Sequence, residues 1–202
     1  MSAAIPKNES HRLQVLWQYE ILDTVPEEVF DELADLAALI CEAPIALISL
    51  VDEDRQWFKA RKGTTLKETT RDISFCGHAI LGTDVLIVPD ATKDNRFKHN
   101  PLVTEKPKLR FYAGAPLITP DGHALGSLCV MDKVPRTLRP QQKQALQTLA
   151  RHVMTQLELR RHARELQESR SEHARLREEL KQARLAVSRL EGQAGKKATK
   201  RQ

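Results

Sequence analysis

The sequence predicts an α+β domain built on a mostly antiparallel sheet, followed by a long C-terminal helix with coiled-coil character. Three observations carry this expectation. Short apolar runs rich in β-branched residues occur in neighbouring pairs around turn residues, which is hairpin patterning. Helical apolar stripes bracket those runs on both sides. A seven-residue apolar repeat begins where the last stripe ends.

Each element follows in turn. Leu13, Leu16, Trp17 and Leu22 fall near helical spacing and predict a lead-in helix over 8–25. Pro26, Glu27 and Glu28 open a second helix, with proline and acids in its first turn. Phe30, Leu33, Ala34, Ala37, Ala38 and Ile40 form its stripe, and Pro44 closes it. Ile45 to Val51 is a short, continuous apolar run and predicts a buried strand. Asp52-Glu53-Asp54 turns the chain, and Gln56 to Arg61 returns as the second strand of a hairpin. Residues 63–73 are polar and predicted irregular. Ser74 to Gly82 predicts a short helix, with Ser74 as its cap and Gly82 as its end. Val85 to Val88 is a short strand, and Asp94 to Pro107 a long loop. Leu109 to Ile118 and Leu125 to Met131 flank Thr119-Pro120-Asp121-Gly122-His123, where proline presets φ and glycine accepts a positive one. In the last helix, Leu146, Leu149, Val153 and Leu157 make a stripe suited to packing on the sheet. A heptad seam follows, with Leu159, Leu166, His173, Leu180 and Val187 at one position and His162, Ser169, Leu176, Ala183 and Leu190 at the other. The expected divisions are a lead-in helix over 1–25, the domain over 26–158, a coiled coil over 159–191 and a disordered basic tail over 192–202.

Charge is distributed unevenly. The 202 residues carry a net +5. From Glu158 onward there are thirteen Lys and Arg against seven Asp and Glu, so the preceding residues are close to neutral. The basic balance therefore belongs to the tail and implies no broad basic surface on the domain. No run of 18 apolar residues occurs, so no transmembrane helix is expected, and the N-terminus has no apolar signal region. Cys41, Cys76 and Cys129 are odd in number, which predicts reduced thiols in a cytoplasm.

Many separated strings resemble, in order, bacterial sensory GAF domains. They run from Asn8-Glu9, Ile21-Leu22-Asp23-Thr24 and Phe30-Asp31 to Ile48 through Lys59, then to Ser74-Phe75-Cys76-Gly77-His78-Ala79-Ile80. Pro89-Asp90-Ala91, Arg96-Phe97, Asn100-Pro101, Arg110 through Leu117 and Gly126 through Asp132 complete the set. The resemblance covers residues 8–158. It implies a GAF-like five- or six-stranded antiparallel sheet with the first and last helices on one face. The other face is covered by the excursions between strands, which in this family enclose a ligand pocket. Such domains regulate an attached histidine kinase, diguanylate cyclase or phosphodiesterase. None of those fits in the 44 residues after Glu158. The chain is therefore expected to be no enzyme, but a cytosolic sensory module that binds an unknown small ligand. It would signal as a homodimer, through its coiled coil, to a separate effector protein.

Strand alternation proposes which side chains face the pocket. Phe111, Ala113 and Ala115, like Leu128 and Val130, form purely apolar sets suited to the helices. The mixed sets then face the excursions: Ser49 with Leu47 and Val51, Arg110 with Tyr112 and Gly114, and Ser127 with Cys129. Cys76 and His78 lie on an excursion. The ligand-binding candidates are Ser49, Cys76, His78, Arg110, Tyr112 and Cys129. Each has an ordinary scaffold role as its alternative, and Arg110 has an ion pair with Asp90 or Asp132. No metal is expected, because Cys-x-His is no zinc spacing and no second close pair exists. Related photoreceptor domains attach a bilin at Cys followed directly by His; here Gly77 intervenes. Nothing supports haem at His78, and no cofactor is assigned. A thiol-based redox sensor, or an enzyme like the methionine sulfoxide reductases of this family, is the alternative function, using Cys76 near a helix start. Nucleic-acid binding through Lys196, Lys197, Lys200 and Arg201 is a further alternative. The tail has no aromatic residue for stacking, and its charges alternate in sign.

Overall fold

The structure is a computed structural model that describes the backbone over residues 3–199 and side chains over residues 3–185. It divides into two units, residues 1–159 and 160–202.

The first unit is a six-stranded, wholly antiparallel sheet clad on both faces. Its strands are β1 (Ile45–Val51), β2 (Arg55–Lys62), β3 (Glu68–Thr70), β4 (Leu86–Val88), β5 (Phe111–Ile118) and β6 (Ala124–Asp132). Their order is β3-β2-β1-β6-β5-β4. Helices α1 (Glu9–Gln18), α2 (Glu28–Cys41) and the start of α5 (Pro140–Thr199) cover one face. The excursions between strands, with the short helices α3 (Phe75–Ala79) and α4 (Pro101–Thr104), cover the other. β1 and β6 are the central pair, with Ile45 opposite Met131 and Leu50 opposite Gly126.

Two cores result, because successive strand residues point to opposite faces. Ile48, Leu50, Phe111, Ala113, Ala115, Leu128 and Val130 pack with Leu16, Phe30, Ala34, Leu146, Val153 and Leu157. Leu47, Val51, Phe58, Tyr112 and Cys129 pack with Phe75, Cys76 and Phe97. Gly126 lets the two central strands approach: a Cβ there would stand 1.9 Å from the Ser49 carbonyl oxygen.

Boundaries differ from the sequence reading where tertiary contacts override local pattern. α1 stops at Gln18, and Glu20 and Asp23 then take left-handed backbone conformations. α2 starts at Glu28, not Pro26. The fully buried ammonium of Lys59 holds Thr24 Oγ1 at 2.9 Å, the Val25 carbonyl at 2.8 Å and the Glu27 carboxylate at 2.6 Å. These contacts accompany a non-helical 24–27, with Glu27 itself extended. The segment 63–73 contains β3, which pairs with Arg55, Gln56 and Trp57 of β2. The long loop contains α4, started by Pro101 and capped by the Asn100 side chain, which accepts from Leu102 N–H at 2.9 Å. A hydrogen bond from the Tyr19 hydroxyl to the Glu158 carboxylate ties α1 to α5.

In the second unit the backbone is helical to Thr199, past Gly192 and Gly195. Leu166, Leu176, Leu180 and Leu185 are exposed by 46–54% among i,i+4 pairs such as Arg175–Glu179. Val187 and Leu190 of the expected seam, and the basic side chains of the tail, lie outside the described residues. No described helix is long and apolar enough to cross a membrane.

Candidate functional site

The excursion face holds a closed cluster of polar side chains under α3. Ser74 starts α3 as the sequence suggests: its hydroxyl accepts from Gly77 N–H at 2.8 Å. The same hydroxyl donates to Gln56 Oε1, which also receives Ser49 Oγ at 3.4 Å. Gln56 thus joins β1 and β2 to α3. In the first turn of α3, the Cys76 sulfur lies 3.8 Å from the sulfur of Cys129 on β6. The Tyr112 hydroxyl points at Cys76 Sγ from 3.5 Å and meets Ser127 Oγ at 3.2 Å. Ser49, Tyr112, Ser127 and Cys129 are fully buried, and Cys76 nearly so. Phe75 roofs the cluster, stacked on Phe97 with ring centroids 4.0 Å apart. Gly114 makes room beneath the Tyr112 ring, since a Cβ there would stand 2.1 Å from the hydroxyl oxygen.

The electrostatics of the cluster favour a single ionised sulfur. A hydrogen bond from Cys129 is the main cause that lowers Cys76 to about 6; burial opposes it, and Ser127, Tyr112 and Ser49 assist as donors. Cys129 is pushed up, because it serves as that donor, is buried and faces the Cys76 charge. Tyr112 is raised by burial and then by both sulfurs. The pair therefore releases one proton readily and keeps the other. Cys41, on α2, is raised to about 11 mainly by burial.

Of the six predicted residues, the structure brings four together: Ser49, Cys76, Tyr112 and Cys129. The other two stand apart. The His78 ring packs edge-on against Phe97, with centroids 4.7 Å apart. Two residues beyond Cys76 on a helix is a rotation of about 200°, so the two side chains leave α3 on opposite sides. Arg110 faces the excursions as alternation predicted. Its Nη1 is held by the carbonyls of Val103 and Leu109, each at 2.9 Å. The Asp132 carboxylate is taken by Arg136 and the Asp90 carboxylate by Thr92. Gln56, Ser74 and Ser127 were not among the predicted residues. Ser127 shares its face with Cys129, so alternation contained the signal. Gln56 sits opposite Val51, beside the turn that closes the β1–β2 hairpin, and a polar residue at a strand start carries no pattern that marks it as part of the cluster. Among the described residues no three His, Cys, Asp or Glu side chains converge as metal ligands.

Open space near the cluster is small. A cleft of about 50 Å³ lies beside Gln56, between Leu47, Phe58, Leu102 and Met131. A larger cleft of about 260 Å³ at the free end of the β2 edge is lined by Lys59, Arg61, Lys67 and Asp23. A third, of about 430 Å³, lies on the helix face between β5 and α5, beside Arg151 and Glu158.

Comparison with known proteins agrees with this architecture. A cyclic di-GMP phosphodiesterase of Pseudomonas aeruginosa is 43% identical over 173 residues, which is 85% of this chain. The chain spans 30% of the length of that relative. The expectation of a non-enzyme is corrected by this finding, because the relative that matches most of the chain is named as an enzyme. Among solved structures, the GAF domain of a phosphoenolpyruvate-protein phosphotransferase from Coxiella burnetii superposes with a TM-score of 0.57 at 18% identity, covering 80% of this chain and 99% of that one. A free methionine-R-sulfoxide reductase from Neisseria meningitidis does so with a TM-score of 0.56 at 15% identity, covering 81% and 98%. At these identities the two structures establish the fold alone. The GAF domain family model matches residues 25–157, which hold all six strands, α2 and the start of α5, and the chain belongs to that family.

Proposed function

We propose that the chain is the sensory GAF module of a cyclic di-GMP phosphodiesterase system, taking a small ligand on the excursion face and passing the result to α5. The observation that carries this reading is the double use of β5 and β6. Tyr112 and Cys129 face the cluster, while Phe111, Ala113, Leu128 and Val130 on the same strands seat Leu146, Val153 and Leu157 of α5. A shift of either strand is felt on both faces, because packed cores transmit strain. The tie from Tyr19 to Glu158 couples α1 to the same stretch of α5. The relative at 43% identity supplies the cyclic di-GMP context.

Small-molecule sites commonly occupy about 300–1,000 Å³, and the cleft beside Gln56 has about 50 Å³. Ligand entry therefore requires α3 and the segment around Phe97 to lift, which gives the two states that a sensor needs. In the open state Ser49, Cys76, Tyr112 and Cys129 line the site, and His78 and Arg110 stand at its rim. The exposed leucine row of the distal helix pairs two copies of the chain.

Native mass spectrometry of the freshly purified full chain tests this. The expected result is a dimer carrying a discrete additional mass, with Leu166→Asp/Leu180→Asp giving a monomer. A wild-type monomer without added mass would sink the proposal.

A further inference from the structure

We propose that Cys76 and Cys129 form a redox modification site, in which a hydroperoxide converts the two thiols to an intramolecular disulfide between α3 and β6.

The geometry is specific to a pair. The sulfurs are 3.8 Å apart, and a disulfide requires about 2.05 Å. One partner is fixed: Cys129 lies on the central strand β6, opposite Leu47 on one side and Gly114 on the other. The other is adjustable, because Cys76 rides on a five-residue helix. Closing the bond needs α3 to settle by less than 2 Å toward the sheet, or the Cys76 side chain to turn, while the strands stay in place. No polar group intervenes between the sulfurs. The Tyr112 hydroxyl donates to Cys76 Sγ and is itself in contact with the Ser127 hydroxyl, so donors stand ready for a developing thiolate. The low value of Cys76 and the high one of Cys129 agree with an attacking and a resolving thiol.

The chemistry balances on these two residues and the peroxide. The Cys76 thiolate attacks one peroxide oxygen, the O–O bond breaks, and sulfenic acid forms with release of hydroxide. The proton given up when Cys76 ionised converts that hydroxide to water. Cys129 then loses its proton as its sulfur attacks Cys76; the S–O bond breaks and the hydroxyl leaves as a second water. Two thiols and one hydrogen peroxide give one disulfide and two waters, with two electrons passing from sulfur to oxygen. A resolving sulfur already in contact intercepts the sulfenic acid before further oxidation. Both sulfurs are buried, so peroxide reaches them through local opening of the excursion, where a short helix rather than a long ladder closes the way.

Cys41 is an internal control. It is buried in the opposite core, among the residues that pack with α2, and its thiol is held high at about 11. The bond would pin α3 to the sheet and close the route described for a ligand. The proposal does not require a ligand, and its failure leaves the sensory reading untouched.

The test is peptide mapping of the reduced, folded full chain after brief exposure to hydrogen peroxide and alkylation. The expected result is a loss of two hydrogens per chain and one peptide pair joining Cys76 to Cys129, released by dithiothreitol. Cys41 should stay unoxidised. Cys129→Ser should yield a dimedone-reactive sulfenic acid at Cys76 and no linked pair, and Cys41→Ser should behave as wild type. The proposal is overturned if the folded wild type shows no Cys76–Cys129 pair, or if Cys41 is oxidised as fast as Cys76. Both readouts use the wild type, so a serine variant that fails to fold does not remove the test.

Discussion

Replacing Gly114 by alanine should lever Tyr112 off the thiol pair. The new Cβ would stand 2.1 Å from the Tyr112 hydroxyl oxygen, 2.6 Å from Cζ and 2.9 Å from Cε1. Ordinary contact for such atoms lies near about 3.5 Å, so the ring must move by more than an ångström at its tip. It has nowhere to go: Tyr112 is fully buried, and the Phe75 ring lies over it with centroids 5.2 Å apart. Overpacking of this kind costs about 1–3 kcal/mol. Pulling the hydroxyl from Ser127 and Cys76 adds about 1 kcal/mol, for a total of about 2–4 kcal/mol. Tyr112→Phe alone should cost about 1 kcal/mol. It also removes the atom in the worst clash, so it should partly relieve Gly114→Ala. The double variant should then be more stable than the sum of the singles predicts, by about 1 kcal/mol or more. Urea unfolding of the four proteins, followed by far-ultraviolet circular dichroism and tryptophan fluorescence, measures the cycle. A cost below about 0.5 kcal/mol for Gly114→Ala, or additivity in the cycle, would refute the placement of Tyr112 across Gly114.

Two further outcomes can be checked in the same way. Gly126→Ala places a Cβ 1.9 Å from the Ser49 oxygen and 2.8 Å from Leu50 Cα. Both are main-chain atoms of the central ladder and cannot turn aside, so the loss should reach about 3 kcal/mol or more. Gly82→Ala meets nothing within 4 Å and should stay within about 1 kcal/mol of wild type. Equal urea midpoints for these two variants would contradict the β1–β6 register. The second outcome concerns pH. Glu9 is opposed by burial, yet hydrogen bonds and charge from Arg12 and Arg71 hold it at about 2, against 4.5 for a free glutamate. A depressed carboxylate stabilises the fold above its unfolded value and loses that contribution as pH falls toward the folded one. The wild type should therefore lose stability between about pH 5 and pH 2 more steeply than Glu9→Gln. Parallel midpoint curves across that window would show that the Glu9 pairing contributes nothing.

The strands that build the two cores were legible because burial on both faces leaves continuous apolar runs, as in Ile45 to Val51. Alternation then assigned faces correctly in β5 and β6, placing Tyr112 and Cys129 opposite Phe111, Ala113, Leu128 and Val130. β3 was illegible for a physical reason: Glu68-Thr69-Thr70 is a polar edge, and its strand conformation comes from the partner, not from its own pattern. α4 carried a readable signal in Asn100-Pro101, a cap followed by proline at the first helical position, but four residues lie below the length at which periodicity speaks. Within the candidate site, alternation identifies Ser49, Tyr112 and Cys129 on the central strands, whereas contacts made between β2 and the excursion before α3 leave no mark in the sequence. Ser74 and Gln56 meet only after the chain has folded back between them. His78 was included by nearness in sequence, which on a helix separates faces as easily as it joins them.

The central position of β1 and β6 also governs how the domain can be made. Ile45 lies opposite Met131, so the middle of the sheet cannot close until nearly all of the domain has been synthesised. At about 5–20 residues per second, a nascent chain waits roughly 4–17 s between these two residues. During that time β1 and β2 form a hairpin whose inner edge, Ile45 to Val51, is apolar except for Ser49 and unpaired. Long-range pairing of this kind slows folding and exposes an edge to other chains. The domain is therefore expected to assemble late and all at once, with aggregation on the ribosome as its main hazard, and a chain ending before Ala124 would retain that edge permanently.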